Sequence, residues 1–422
     1  MLLVGVIVFA AMQLVTPPVT NAPVTNPIKA PADVVAILQR ACYDCHSNET
    51  NLSWYDKIAP ASWLVNADVK EARSRFNFST WDTLSATDQQ GRVWEMVNMV
   101  LTHKMPLSTY AALHPKAKLS AADIAVLKNY AEELSPANYH DTALVNATER
   151  ALDVFSSSVT NDKKQPVAAN GIAYIPDFQN WQVISTTNRF DNHSIRVVYA
   201  NAIAAKAVRE NNVQAFPEGS TIVKAVWNSI ENENGDIKPG TLNSIQVMTK
   251  DTRRFTQSKG WGFAKFNGTG LKPYGTTAAF NTTCFNCHKI ADATDYLFNI
   301  PLENKTGKRE VFDARGLKVI TSFANTHQQT LAVLYGNEAA HTTALKGYRV
   351  HVPGEVFTLV TYQQANNKYW YGSHIHGEIK SVETVRSGIA DNQLTYTLEQ
   401  GSVAGSATRI AEILSHQPSV FP

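Results

Sequence analysis

All four cysteines of this 422-residue chain fall in two copies of one pattern, Cys42-Tyr43-Asp44-Cys45-His46 and Cys284-Phe285-Asn286-Cys287-His288. Cys-x-x-Cys-His is the attachment signal of c-type haem. The two thiols reach the vinyl groups on one porphyrin edge, and the adjacent imidazole swings beneath the ring to ligate iron. No cysteine is left over for a disulfide framework or a thiolate catalyst. A thioredoxin-like dithiol needs no trailing histidine, and a zinc site needs more Cys or His close by. The pattern predicts two covalently bound c-type haems, with Cys42, Cys45, Cys284 and Cys287 as anchors and His46 and His288 as proximal ligands. Whatever the fold, it has to house two porphyrins.

A hydrophobic content of 44% is enough to build real cores, and a net charge of +2 gives no basis for a nucleic-acid footprint. Haem is normally attached to such proteins outside the cytoplasm, so an export signal is expected. Leu2 to Val15 is almost wholly apolar, and Pro17 and Pro18 stop any helix there. The stretch is shorter than the ~20 residues of a comfortable membrane span. It reads as a signal core or a short uncleaved anchor, the anchor being preferred. Five prolines between Thr16 and Pro31 describe an extended tether. The expected location is periplasmic, anchored to the inner membrane, with export to the exterior as the alternative.

The texture then divides the chain. Residues 1–31 are the apolar segment and tether. Residues 32–134 are helical. Val34, Ile37, Leu38 and Ala41 share one face and lead into the first motif, and Val93 to Val100 is a second periodic run. Ser120 with Asp123 caps a third helix, in which Ile124, Leu127, Ala131 and Leu134 share a face. Residues 135–170 are polar and weakly patterned, a linker. From 171 to 305 the runs Ile195–Tyr199, Ser220–Trp227, Ser244–Thr249 and Gly262–Phe266 read as strands, with one helix at Ala202–Glu210. Residues 306–422 repeat that texture without cysteine. Val198-Tyr199-Ala200-Asn201 matches Leu334-Tyr335-Gly336-Asn337, Pro217-Glu218-Gly219 matches Pro353-Gly354, and Gly260-Trp261-Gly262 matches Trp370-Tyr371-Gly372. The fold class is multidomain α + β: an all-α cytochrome c-like domain, a mainly antiparallel β domain, and a second, haemless β repeat.

Met105 is expected opposite His46, because a thioether is a soft iron ligand and Met-Pro fixes the local chain; His103 competes for the place. His/Met ligation raises the reduction potential and fills both axial positions. No Met-Pro or isolated His offers a sixth ligand opposite His288, and His193 sits beside Asp191 and Asn192 as in an exposed turn. An open sixth position lets a small molecule meet iron. Lys224 is a lone charge in the run Thr221-Ile222-Val223-Lys224-Ala225-Val226-Trp227, so it either faces solvent or has a special partner. Two histidines at His374 and His376, without a third ligand, make a weak metal pattern. Glu231, Glu233 and Asp236 lie in a loop of undetermined position.

The first third of the chain resembles the Haem_bd family of haem-binding domains. The residues that carry this are Cys42 to Asn48, Trp54-Tyr55, Lys57 to Pro60, Ser62 to Leu64, Lys104-Met105-Pro106 and His114-Pro115. Residues 175–302 resemble the cytochrome P-460 family and its relative cytochrome c′-beta. Here the matching segments are Ile175 to Trp181, Ile195 to Tyr199, Gly219 to Lys224, Lys250 to Phe255 and Cys284 to Asp295. The second resemblance implies a five-coordinate c-haem on an antiparallel β fold. Lys224 stands at the position of a lysine that cross-links to the porphyrin edge, and Arg196 matches a pocket arginine. It also implies homodimers packed through sheets, which a fused copy could replace by an intrachain pseudo-dimer. At the positions of Lys224 and Arg196 the second copy has Leu359 and Ala332. Where hydroxylamine-oxidising members present a distal carboxylate, this chain has Gln246, an amide that hydrogen-bonds but takes up no proton at neutral pH.

The expected function is that of a dihaem cytochrome oxidising or otherwise transforming a small nitrogen compound, hydroxylamine or nitric oxide. Electrons would leave through the His46/Met105 haem to a periplasmic carrier or membrane partner. The alternatives are a nitric-oxide-binding module without turnover and a pure electron-transfer conduit.

Overall fold

The computed structural model describes residues 2–15, 19–135, 165–304, 306–389, 393–403 and 408–422. Most of the expected linker, residues 136–164, therefore lies outside the described residues. The chain divides into two compact units, Met1–Ser135 and Pro136–Pro422.

The first unit is helical. Its helices are α1 (Leu2–Leu14), α2 (Ala32–Ala41), α3 (Tyr43–His46), α4 (Ala61–Arg75), α5 (Ala86–Leu101), α6 (Ser108–Leu113) and α7 (Ala121–Glu133). At ~1.5 Å per residue α1 is roughly 20 Å long against a hydrocarbon thickness of ~30 Å. No helix among the described residues is long and apolar enough to cross a membrane. The last turn of α1 is tied down by Gln13, whose amide exchanges two hydrogen bonds with the backbone of Ala59 (2.9 and 3.3 Å). The core is built from the faces that the periodicity marks: Val34, Ile37, Leu38 and Ala41 of α2, Val93, Trp94, Val97 and Val100 of α5, and Leu127, Tyr130 and Ala131 of α7. Ser120 and Asp123 form a reciprocal capping box at the start of α7. Leu134 is exposed, because α7 ends at Glu133 and its face ends with it.

The second unit is one antiparallel sheet of eleven strands. The first copy supplies β1 (Gln182–Arg189), β2 (Ser194–Ala200), β3 (Thr221–Glu231), β4 (Asp236–Lys250), β5 (Trp261–Asn267) and β6 (Lys272–Pro273). The second supplies β7 (Lys318–Asn325), β8 (Thr330–Gly336), β9 (Val356–Asn366), β10 (Ser373–Ser387) and β11 (Leu394–Gly401). Eight strands close a circuit, β3-β2-β1-β10-β9-β8-β7-β4 and back to β3, with β5, β6 and β11 outside it. Closure leaves those eight without a free edge. The exchange is reciprocal: the first strand of each copy pairs with the fourth strand of the other, β1 with β10 and β7 with β4.

Side-chain alternation sorts the residues into three cores. Inside the circuit Val197, Tyr199, Val223 and Trp227 of the first copy pack with Val333, Tyr335, Val360 and Tyr362 of the second. Outside, helix α8 (Ala202–Arg209) and helix α9 (Phe280–His288) cover Val198, Ile222 and Met248. On the second copy, α10 (Glu338–Leu345) and α11 (Arg409–Leu414) cover Leu334, Phe357 and Leu359.

The duplication is visible in hydrogen bonds. Asn201 caps α8 through Ala204 N (3.0 Å) and ties down the Gly219 carbonyl (2.9 Å). Asn337 caps α10 through Ala340 N (3.0 Å) and ties down Gly354 (2.8 Å). One correspondence needs correction. Trp261 opens β5, the fifth strand of its copy, whereas Trp370 precedes β10, the fourth strand of the other. The Trp-Gly strings are alike, but they occupy different places in the repeat.

Two histidines of the second copy make the fold acid-sensitive. His376 is buried edge-on to Tyr362 (4.6 Å), with neither ring nitrogen hydrogen-bonded among the described residues. Burial holds its pKa down at about 4. His416 stacks on Phe323 (3.8 Å) and is likewise held at about 4, by burial first and then by Lys238 and Arg409, against Asp236 and Glu412. The unfolded chain takes up these protons near pH ~6.5 and the folded one does not, so stability falls as the pH drops from there towards 4. Each residue contributes on the order of 3 kcal/mol by the lower end of that window. Urea unfolding at pH 7 and pH 4.5 should show the loss, and His376→Leu should flatten it; an unchanged slope in the variant would contradict the assignment.

Candidate haem sites

In the first unit Cys42 closes α2 and opens α3, with His46 N–H donating to the Cys42 carbonyl (2.9 Å). One helical turn thus places both thiols and the imidazole together. Burial pushes the thiols of Cys42 and Cys45 up to about 12, away from the thiolate character of an activated redox dithiol. His46 stacks on Phe76 (4.3 Å), and burial holds its pKa down at about 4, leaving a neutral imidazole able to ligate a metal. Asp44 inside the motif accepts from Tyr110 (2.5 Å), whose ring stacks on His114 (4.0 Å), and His114 bonds Asp56 (2.9 Å). Met105 is partly buried in the turn after α5, where its N–H and that of Lys104 both donate to Met99 O. His103 beside it takes a left-handed φ of 57°.

In the second unit α9 carries the other motif against the outer face of the first copy. His288 Nδ1 lies 2.6 Å from the Tyr296 carbonyl. A carbonyl can only accept, so Nδ1 donates and Nε2 keeps its lone pair for a metal. Phe263 and Phe298 flank the ring at 4.8 Å each, and burial followed by the Lys224 charge holds its pKa down at about 3.

His288 and Cys284 line a cavity with Lys224, Gln246, Met248, Lys265, Tyr274, Phe298 and Asn299. It encloses about 630 Å³, counting the solvent at its mouth. The lining is mostly apolar, and the imidazole with its fixed Nδ1–H partner is the second-shell arrangement of an iron ligand. The residues present therefore fit a haem held by Cys284, Cys287 and His288.

Two family models match this chain. Residues 2–133 match the model of a haem-binding domain, and residues 175–299 match the model of cytochrome P460. No curated protein matches the chain. The first match begins with the apolar helix α1, and the second ends just past the second motif.

Lys224 points outward from the circuit, as strand alternation permits, but that face is covered by α8 and α9 rather than by water. Gln246 stands directly opposite it on β4. Arg196 lies on the same outer face of β2 and is 6% exposed, but it bonds Ser194 (3.1 Å) and Asn192 (3.5 Å) and is not among the residues lining the cavity. His193 occupies the β1–β2 turn with φ 44°, also away from the lining. Glu231 accepts from Thr326 and Asp236 from Asn325, so these carboxylates secure the β4–β7 junction. His374 packs on Phe190 (5.1 Å), and no group of three metal-capable side chains occurs among the described residues.

Sequence reasoning missed two kinds of residue. Lys265 is a lone charge in Trp261-Gly262-Phe263-Ala264-Lys265-Phe266, the same signal that marks Lys224. Trp370 comes from the haemless copy. Its ring meets Phe298 (5.4 Å), its indole N–H donates to Asp191 (2.9 Å), and Arg189 lies over it (4.6 Å). Asn367 reaches the Phe298 carbonyl (3.3 Å). The haemless repeat thus backs Phe298, which in turn flanks His288.

The equivalent place on the second copy is filled. Leu359 replaces Lys224 and pairs across the sheet with Glu383, as Lys224 pairs with Gln246. Glu383 is buried and grips Arg409 of α11 in a bidentate pair (2.6 and 2.7 Å), while Ile413 packs on the apolar face. A helix without cysteines seals what the first copy leaves open.

Proposed function

We propose that this cytochrome carries two covalently attached c-type haems and is an oxidoreductase for a small nitrogen compound, hydroxylamine or nitric oxide. Cys42 and Cys45 hold one haem, ligated by His46 and Met105. Cys284 and Cys287 hold the other, ligated by His288 alone, with a cross-link from Lys224 to its edge. The haem supplies the metal that binds the nitrogen compound and the first electron acceptor. Gln246 hydrogen-bonds the bound molecule, Lys224 orients the macrocycle, and Arg196 holds charge behind them. Phe298 and Trp370 keep water from the imidazole. Electrons leave through the first haem to a periplasmic carrier or a membrane partner, with the N-terminal segment as the anchor.

The observation that carries this reading is the cavity itself: His288 with its fixed Nδ1–H partner faces a space edged by Lys224 and Gln246. Met248 also borders that space, two residues along β4 from Gln246, and a thioether there favours the electron-conduit reading. One experiment separates them. The reduced holoprotein is mixed with carbon monoxide, and the oxidised holoprotein with hydroxylamine and an artificial acceptor. We expect half of the haem to bind carbon monoxide and the acceptor to be reduced catalytically. Binding without turnover would leave a nitric-oxide-binding module, and no binding would leave a conduit. Peptide mass spectrometry of the same sample reports whether Lys224 carries haem.

A further inference from the structure

Lys224, Gln246 and Lys265 stand directly opposite one another on β3, β4 and β5, so their side chains leave the same face in one row. All three line the cavity, and among the described residues no carboxylate side chain does. Arg196 lies on the same face and donates only to neutral Ser194 and Asn192. Lys265 lies over the Tyr274 ring (5.3 Å). Among the described residues none of Lys224, Lys265 and Arg196 has an ion pair, whereas the neighbouring Arg189 is paired with Asp191.

Cations gathered in a partly buried site repel one another and raise the local concentration of anions. Burial disfavours the charged form of Lys224, and the proposed cross-link would remove its charge, so the two propionates of the haem that the motif implies are balanced by Lys265 and Arg196, and the oxidised core adds one positive charge. The account stays positive. A neutral ligand gains nothing from that surplus. Gln246 matters here too, since a carboxylate at its position would repel an anion and an amide donates to one.

We propose that the open side of this cavity binds a small monovalent oxyanion of the nitrite class, held by Lys265 and the Gln246 amide. The proposal rests on the open-iron reading above and names its ligand chemistry. The site is selective for anions in the oxidised state, because reduction removes the core charge.

The test is a spectral titration of the oxidised holoprotein with sodium nitrite, beside carbon monoxide titration of the reduced form. Wild type should bind nitrite saturably, with an affinity that falls as ionic strength rises. Lys265→Gln should weaken nitrite about tenfold relative to carbon monoxide, the scale of one lost charge-assisted hydrogen bond, and Lys265→Arg should restore most of it. Gln246→Glu should abolish nitrite binding, which keeps the test decisive if Lys265→Gln fails to load haem. Carbon monoxide binding without a nitrite response, or equal nitrite affinity in Lys265→Gln and wild type, overturns the proposal and leaves the open iron standing. If neither ligand binds, both fall together.

Discussion

Replacing Cys284 and Cys287 together with alanine is expected to halve the covalently bound haem and remove all binding of carbon monoxide. The two motifs lie in separate compact units, divided between Ser135 and Pro136. Attachment at Cys42 and Cys45 depends on α2, α3 and the Phe76 stack, none of which belongs to the second unit. Loss of the thioethers removes the anchors that hold the haem edge beside Lys224, so the proposed cross-link is not expected to form and His288 alone remains, in a cavity open to solvent. A porphyrin held by one imidazole exchanges with solution, whereas a thioether does not hydrolyse. The reciprocal variant, Cys42→Ala with Cys45→Ala, should also halve the haem but retain carbon monoxide binding. Pyridine haemochrome per chain and the haem stain on a denaturing gel measure the first quantity, and optical spectra of the reduced proteins measure the second. Equal carbon monoxide binding in the two variants would contradict the unequal roles assigned to the irons. Circular dichroism guards against the trivial outcome, because the sheet of the second unit does not depend on the cysteines for its closure.

The sequence makes the two haem motifs, the helical first unit and most of the first-copy strands legible. The reason is local. Cys-x-x-Cys-His is self-contained, and a helix with one wet face shows its period, as α2 does. Strand β1 is different. Its residues Gln182 to Arg189 are polar yet mostly buried, because Ser185 bonds Asn299 O (2.7 Å) and Thr186 bonds Ser322 (2.7 Å) across the copies. Such a strand shows neither alternation nor an apolar run. Register is equally silent. Lys265 looks like Lys224 in one dimension, and only the pairing Lys224–Gln246–Lys265 sets them in one row. Trp370 is the extreme case. Its neighbour Phe298 lies some seventy residues earlier, and they meet only because β10 pairs with β1. The Trp-Gly string misled for the same reason: short strings carry no strand order.

Trp227→Ala is expected to destabilise the whole second unit, not only its first copy. Trp227 is fully buried on β3, inside the strand circuit that both copies share. Its ring meets Phe421 edge-on at 5.0 Å, and its indole N–H donates to the Val420 carbonyl (2.7 Å). Both partners come from the end of the haemless copy. Truncation removes an aromatic side chain from a closed core that cannot collapse around the gap, a cost of about 3–5 kcal/mol. It also leaves the buried Val420 carbonyl without this donor, for a further ~1–3 kcal/mol. Trp227→Phe keeps most of the volume and loses the donor, so it should sit near the smaller figure. Because β1 pairs with β10 and β4 with β7, the two copies cannot unfold separately without breaking the circuit. Urea unfolding followed by far-ultraviolet circular dichroism and by the spectrum of the haem proposed at His288 should therefore show one coincident transition, moved to lower urea in Trp227→Ala. Two separate transitions, with the haem signal shifted and the rest unmoved, would mean that the copies are stable independently and that the common core does not couple them.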